Sequence, residues 1–145
     1  GIPWDDASGK RLRSWLKLDP NQFYDSSQIA MIPMGFCFPG INPRGGDNPP
    51  RPECAPLWHS KILDALTKIE LTLLVGRYSQ RYYLAESQTM TQIIRNFRKY
   101  RPKFFPLPHP SWRTIGWEKN NPWFIRDVIP ELRKVVHRIL NGNRV

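Results

Sequence analysis

Three short apolar runs, at residues 28–34, 71–75 and 103–107, are each followed by a turn or loop and then by a segment of helical spacing. Runs of this length without strict alternation predict buried parallel strands. The helices are legible as stripes. Trp58, Ile62, Ala65, Leu66 and Ile69 fall on one face, and Met90, Ile93, Ile94, Phe97 and Tyr100 on a second. A third stripe joins Phe124, Val128, Leu132, Val135, Val136 and Ile139. Asn121 is its candidate N-cap, Pro122 its first helical position, and Pro130 predicts a kink or a division in two. Alternating strands and helices predict one α/β domain over residues 1–145 with a mostly parallel sheet. Ligands of such sheets sit outside the carboxyl ends of the strands, which directs attention to residues 35–51, 76–80 and 108–117.

Composition sharpens this picture. The chain has 22 Lys and Arg against 12 Asp and Glu, a net charge of +10, which favours a polyanionic partner such as nucleic acid. Basic and aromatic residues interleave in 97–105 and 112–123, a mixture suited to phosphates and base faces. The sequence lacks both a long apolar span and the layout of a signal peptide, so a cytoplasmic location is expected, or a nuclear one in a eukaryote. In that setting its two cysteines are expected as free thiols or metal ligands. The chain opens at Gly1 in what reads as a loop, which predicts a fragment.

Pro108, His109, Pro110, Ser111, Trp112 and Arg113 follow directly on the third apolar run. Two prolines fix the backbone around one histidine, and an imidazole so placed can donate a hydrogen bond to charge developing on a leaving group. Cys37 and Cys54 flank a proline- and glycine-rich loop with 16 residues between them. That loop is long for an ordinary connection, and is either disordered or organised by something other than a core. Two cysteines alone are a weak metal pattern, since an iron-sulfur cluster takes about four thiolates. Zinc on Cys37, Cys54 and His59 is an alternative with three ligands.

The His109-Pro110-Ser111 sequence resembles the second active-site motif of the uracil-DNA glycosylase superfamily. The similarity extends from Gly1, Ile2, Pro3, Trp4 through Ile32, Pro33, Met34, Gly35, Phe36, Cys37 to Asn121, Pro122, Trp123, Phe124. The chain is most similar to the iron-sulfur members, families 4 and 5 of the bacterial branch. The resemblance implies a three-layer αβα sandwich with a parallel four-stranded sheet in the order 2-1-3-4, whose first, central strand would precede this chain. It implies that His109 stabilises the anion formed as the glycosidic bond breaks, that Trp4 stacks on the extruded base, and that Ser111 contacts a phosphate. Trp112, Arg113 and Ile115 would form the wedge that enters the base stack, the alternative for Trp112 and Ile115 being packing against Trp117. Cys37 and Cys54 would supply two of the four ligands of a 4Fe-4S cluster. The partner would be uracil-containing DNA, bound by a monomer, with Arg95, Arg98, Lys99, Arg101, Lys103 and Arg113 as a phosphate-facing surface.

Departures from the family pattern carry their own expectations. The first motif, with its water-activating residue, is absent, so this chain alone should not complete hydrolysis and should fold poorly. Gly40, Ile41, Asn42, Pro43 resembles a mismatch-glycosylase first motif but lies between the cysteines, after the wrong strand. Pro33 stands where many iron-sulfur members have an asparagine that reads the uracil edge. The competing reading is a non-catalytic nucleic-acid-binding remnant of the same fold; an unrelated α/β enzyme using His109 with Asp47 or Glu53 is a distant third.

Overall fold

A computed structural model describes residues 2–34, 43–44 and 54–142, with the side chains of 54–58 left out. The first helix, α1 (Ala7–Leu16), begins where Asp6 accepts a hydrogen bond from the Gly9 N–H at 2.9 Å. It ends at Lys17 in the left-handed region, with the Leu18 and Lys17 N–H groups closing on Arg13 and Ser14 carbonyls. Its buried stripe is Leu12, Trp15 and Leu16. A capping box between Asp19 and Gln22, with Pro20 at the first position, starts the short α2 (Pro20–Phe23) and buries Phe23.

The sequence-predicted strand at 28–34 is not formed. Residues 26–28 make a turn and 29–33 run without regular structure, because no described strand lies alongside to complete a ladder. The segment is held by side chains, with the Pro33 carbonyl 2.6 Å from His59 Nε2 on α3 (Cys54–Ala65). The other two strands are present one residue shorter, as β1 (Thr72–Val75) and β2 (Phe104–Leu107). They pair in parallel, Thr72 opposite Phe104 and Val75 opposite Leu107. This two-stranded sheet is the extent of sheet among the described residues.

Thr72 N–H donates to Lys103 and Gly76 N–H to Leu107, so odd-numbered residues of β2 exchange bonds with β1 and even-numbered ones face away. Pro106 therefore sits where its missing N–H is not needed, on an edge. Leu73 and Val75 direct their backbone groups to the opposite, open edge of β1.

Helices cover both faces. On one, Phe105 and Leu107 join Ile94 and Phe97 with Leu12, Trp15, Phe124 and Leu132 in the main core. Each such buried side chain contributes about 1.5–3 kcal/mol. That face is covered by α1, by α5 (Met90–Arg95) with the tight turn Phe97–Tyr100, and by α7 (Ile129–Leu140). A capping box between Thr89 and Gln92 starts α5. On the other face, Phe104 meets Tyr83 of α4 (Arg77–Leu84), with ring centroids 5.8 Å apart, and Tyr83 in turn bonds His59.

The third stripe divides as its proline requires. Phe124–Val128 forms a wide π-type turn, and α7 starts at Ile129 with Pro130 in its first turn. Asn121 does not cap this segment. It ends α6 (Thr114–Asn120) and turns its amide back to the Trp117 carbonyl at 2.8 Å. α7 then reaches α1: Arg133 donates to the Trp15 and Ser14 carbonyls, both at 2.9 Å, and His137 Nε2 lies 3.0 Å from the Leu16 carbonyl. The Trp15 and Leu16 carbonyls lie in the last turn of α1, beyond the reach of its own N–H groups, while the Ser14 carbonyl also accepts from Lys17.

Candidate active site

His109 stands two residues beyond the carboxyl end of β2, as the topology requires of a site on a parallel sheet. Pro108 and Pro110 on either side are buried, and Thr114 Oγ1 donates to the His109 carbonyl. Gly76 ends β1 beside it with φ of 91°; a Cβ there would lie 3.6 Å from His109 Cβ. The space there would admit a Cβ in ordinary contact, so it is the positive φ that calls for glycine.

The opposite wall comes from the N-terminal arm. The Trp4 ring lies 5.5 Å from the His109 ring, tilted by 34°. Trp4 adopts φ of 61°, a left-handed conformation unfavourable for a bulky residue. Three contacts hold it there. Arg13 Nη1 donates to the Trp4 carbonyl at 3.1 Å, Tyr24 donates to the Pro3 carbonyl at 2.8 Å, and Gly9 leaves room where any Cβ would lie 1.7 Å from the Trp4 carbonyl oxygen.

The surroundings of His109 set its charge. Although the ring reaches solvent, the groups packed around it withdraw enough water to lower its pKa below the usual histidine value, against the opposing influence of the Asp6 carboxylate. The neutral imidazole is favoured, which retains one N–H donor.

Beyond His109 the chain turns into α6. Ser111 accepts the Thr114 N–H at 3.0 Å through its carbonyl. Trp112 and Ile115 are 76% and 43% exposed, and the Arg113 guanidinium lies 5.3 Å from the Trp112 ring centre. Trp117 packs instead on Trp123 and Phe124 and donates to Thr91 at 2.9 Å.

Of the sequence-predicted site residues, Trp4 and His109 are brought into contact, and Ser111, Trp112, Arg113 and Ile115 follow on one turn. Cys37 and the Asn42 motif lie outside the described residues; Cys54 opens α3. His59 engages Tyr83 and the Pro33 carbonyl through its two ring nitrogens. Among the described residues no cluster of three His, Cys, Asp or Glu could hold a metal ion. Of the basic surface, Lys99 pairs with Glu86 at 3.0 Å and Arg101 with Glu131 at 3.8 Å. Arg95 and Lys103 lie over the Trp123 and Phe104 rings.

Sequence reasoning missed Asp6, Gly9 and Arg13. The Asp6–Gly9 spacing was available as a helix start, but the link from α1 to His109 is a tertiary one. A shallow groove between α1 and α6, lined by Lys10, Arg11, Ser14, Trp15, Glu118 and Ile125, lies apart from this pair. There Glu118 is already engaged by Arg11 and by Trp15 Nε1, so the Trp4–His109 pair defines the candidate site.

An α/β fold with a histidine between prolines at a strand end, faced by an aromatic ring, sets a stacking surface beside a hydrogen-bond donor. The family profile of the Uracil DNA glycosylase superfamily matches residues 1–133, and the chain belongs to that superfamily. No helix among the described residues is long and apolar enough to cross a membrane.

Proposed function

We propose that this protein is a DNA repair glycosylase that extrudes a damaged base, uracil being the first candidate, and hydrolyses its N-glycosidic bond. The observation that carries this reading is the Trp4–His109 pair at the carboxyl end of β2 in a chain of this superfamily. Trp4 stacks on the extruded base, an interaction of about 1–3 kcal/mol. Neutral His109 donates a hydrogen bond to the anion as it develops on the departing ring, where a donor fixed in advance acts without reorganisation. Extrusion costs a few kcal/mol. Exposed Trp112 and Ile115 offset it by filling the vacated stack, while Ser111 and Arg113 hold phosphates. Both walls of the site come from one chain, so a monomer suffices, acting in the compartment that holds the DNA.

The remaining parts of the proposal concern the whole protein. The sheet has the order 2-1-3-4, β1 and β2 being its third and fourth strands, and the first strand adds along the open edge of β1. Pro106 closing the other edge supports that direction of growth. A strand so placed is the position from which the first motif and its water-activating residue would reach the site. Cys37 and Cys54 hold half of a 4Fe-4S cluster. Such a cluster would serve a structural part and supply no step of the chemistry. Pro33 has no side-chain amide, and its carbonyl is engaged by His59. Base selectivity therefore rests elsewhere, and a lesion other than uracil is the first alternative.

The test uses the protein with its native N-terminus, a uracil-containing oligonucleotide and an assay for abasic sites. Abasic product that is lost in His109→Ala while DNA affinity persists is the expected result. Binding without product on any base lesion would overturn the enzymatic reading in favour of a non-catalytic DNA-binding module.

A further inference from the structure

Gln80 is a buried amide at the base of the site, 1% exposed, on the first turns of α4. Its Nε2 donates to the Leu74 carbonyl at 3.2 Å and to the Leu107 carbonyl at 2.9 Å, straddling the last rungs of β1 and β2. The amide orientation is fixed by these partners, because the opposite one would set its oxygen against two carbonyl oxygens. Its Oε1 is buried with no hydrogen-bond partner among the described residues. An unused buried acceptor is unfavourable, so the glutamine is explained by the two bonds it donates.

Those bonds act two residues from the imidazole. The Leu107 carbonyl accepts from both Gln80 Nε2 and Gly76 N–H, the latter at 2.8 Å, so its direction is set by two donors. Pro108 follows, fully buried with φ fixed by its ring, and Pro110 restricts the backbone of His109 itself. Thr114 then holds the His109 carbonyl from the far side. Between Leu107 and Thr114 the chain has little freedom left, and its orientation is inherited from the carbonyl that Gln80 grips.

We propose that Gln80 is a positioning residue that sets where the His109 imidazole stands, acting through the Leu107 carbonyl. That the imidazole serves a departing base rests on the function proposed above; that Gln80 places it does not. The full protein is compared with its Gln80→Met and Ser79→Ala variants. Ser79 is the matched control, because its Oγ donates to the Gly76 carbonyl at 3.0 Å and not to Leu107.

Two readouts are taken: single-turnover base release, and the NMR titration of the His109 ring, which is faced by Asp6 and Trp4. Gln80→Met is expected to slow base release about tenfold to a hundredfold, the scale of a small misplacement of a catalytic group. DNA affinity should hold within about twofold, and the His109 ring signals and titration should move. Ser79→Ala should lower the melting temperature and move neither. A folded Gln80→Met protein whose His109 titration and rate match those of Ser79→Ala would overturn the proposal. If the methionine variant does not fold, Gln80→Asn, an amide too short to reach both carbonyls, is read in the same way. Absence of base release by the wild type would refute the function alone, leaving the ring titration to decide on Gln80.

Discussion

Replacing Gly9 by alanine tests how the site is built. Gly9 lies buried in the first turn of α1, where alanine would by intrinsic propensity strengthen a helix by about 0.5–1 kcal/mol. Here the new Cβ would lie 1.7 Å from the Trp4 carbonyl oxygen, whereas real Cβ contacts stay beyond 3.0 Å, so the Trp4 peptide must retreat by about 1.3 Å. That carbonyl is backbone and cannot swing aside as a side chain would. Retreat also breaks the Arg13 bond at 3.1 Å. A hydrogen bond from a charged donor contributes about 1.5–3 kcal/mol, and the helix gain recovers part of it. The net destabilisation is about 1–2 kcal/mol, a few degrees in melting temperature. The functional loss should be larger, since the Trp4 ring leaves its station 5.5 Å from His109. Thermal melts, base release and the cross-relaxation signal between the Trp4 and His109 rings measure all three. A Gly9→Ala protein as stable as wild type, with that signal intact, would refute the reasoning.

Asp6→Asn removes the carboxylate that raises the His109 pKa while keeping an oxygen to cap α1, so the His109 pKa should fall further below 6.5 with little change in stability; NMR titration measures it. Because folding lowers the His109 pKa, the unfolded chain binds more protons through and below that range. Stability should therefore fall as pH drops from 7 past 6.5, and His109→Gln should flatten that part of the curve in denaturant titrations. Arg133→Ala leaves the Trp15 carbonyl without its side-chain donor and the Ser14 carbonyl with the Lys17 N–H alone, and should destabilise by about 1–2 kcal/mol, seen as a lower denaturation midpoint with unchanged slope. An unchanged midpoint would mean that water replaces the guanidinium.

Two of the three apolar runs became strands because they lie side by side in space. The run at 28–34 has the same composition but no described partner, and periodicity cannot count neighbours. Pro130 was legible as a break since its effect is local, whereas Asn121 before Pro122 looked like a cap and instead finished the preceding helix. In the site, His109 could be read from its flanking prolines and its place after a strand. The contact with Trp4 joins residues 4 and 109, and the Gln80 straps span both strands. Such links belong to tertiary packing, and a single sequence carries no local pattern for them.

The attachment of α7 to α1 sets an order of events. Arg133 and His137 bind carbonyls 118 to 121 residues earlier in the chain, so the end of α1 is completed only after the last described helix has been made. Contacts so distant in sequence form late, and a growing chain leaving the ribosome cannot form them at all until α7 emerges. The arm bearing Trp4 springs from α1. A half-synthesised chain would thus carry the stacking residue on a loosely seated helix, and the site would close only on a finished molecule.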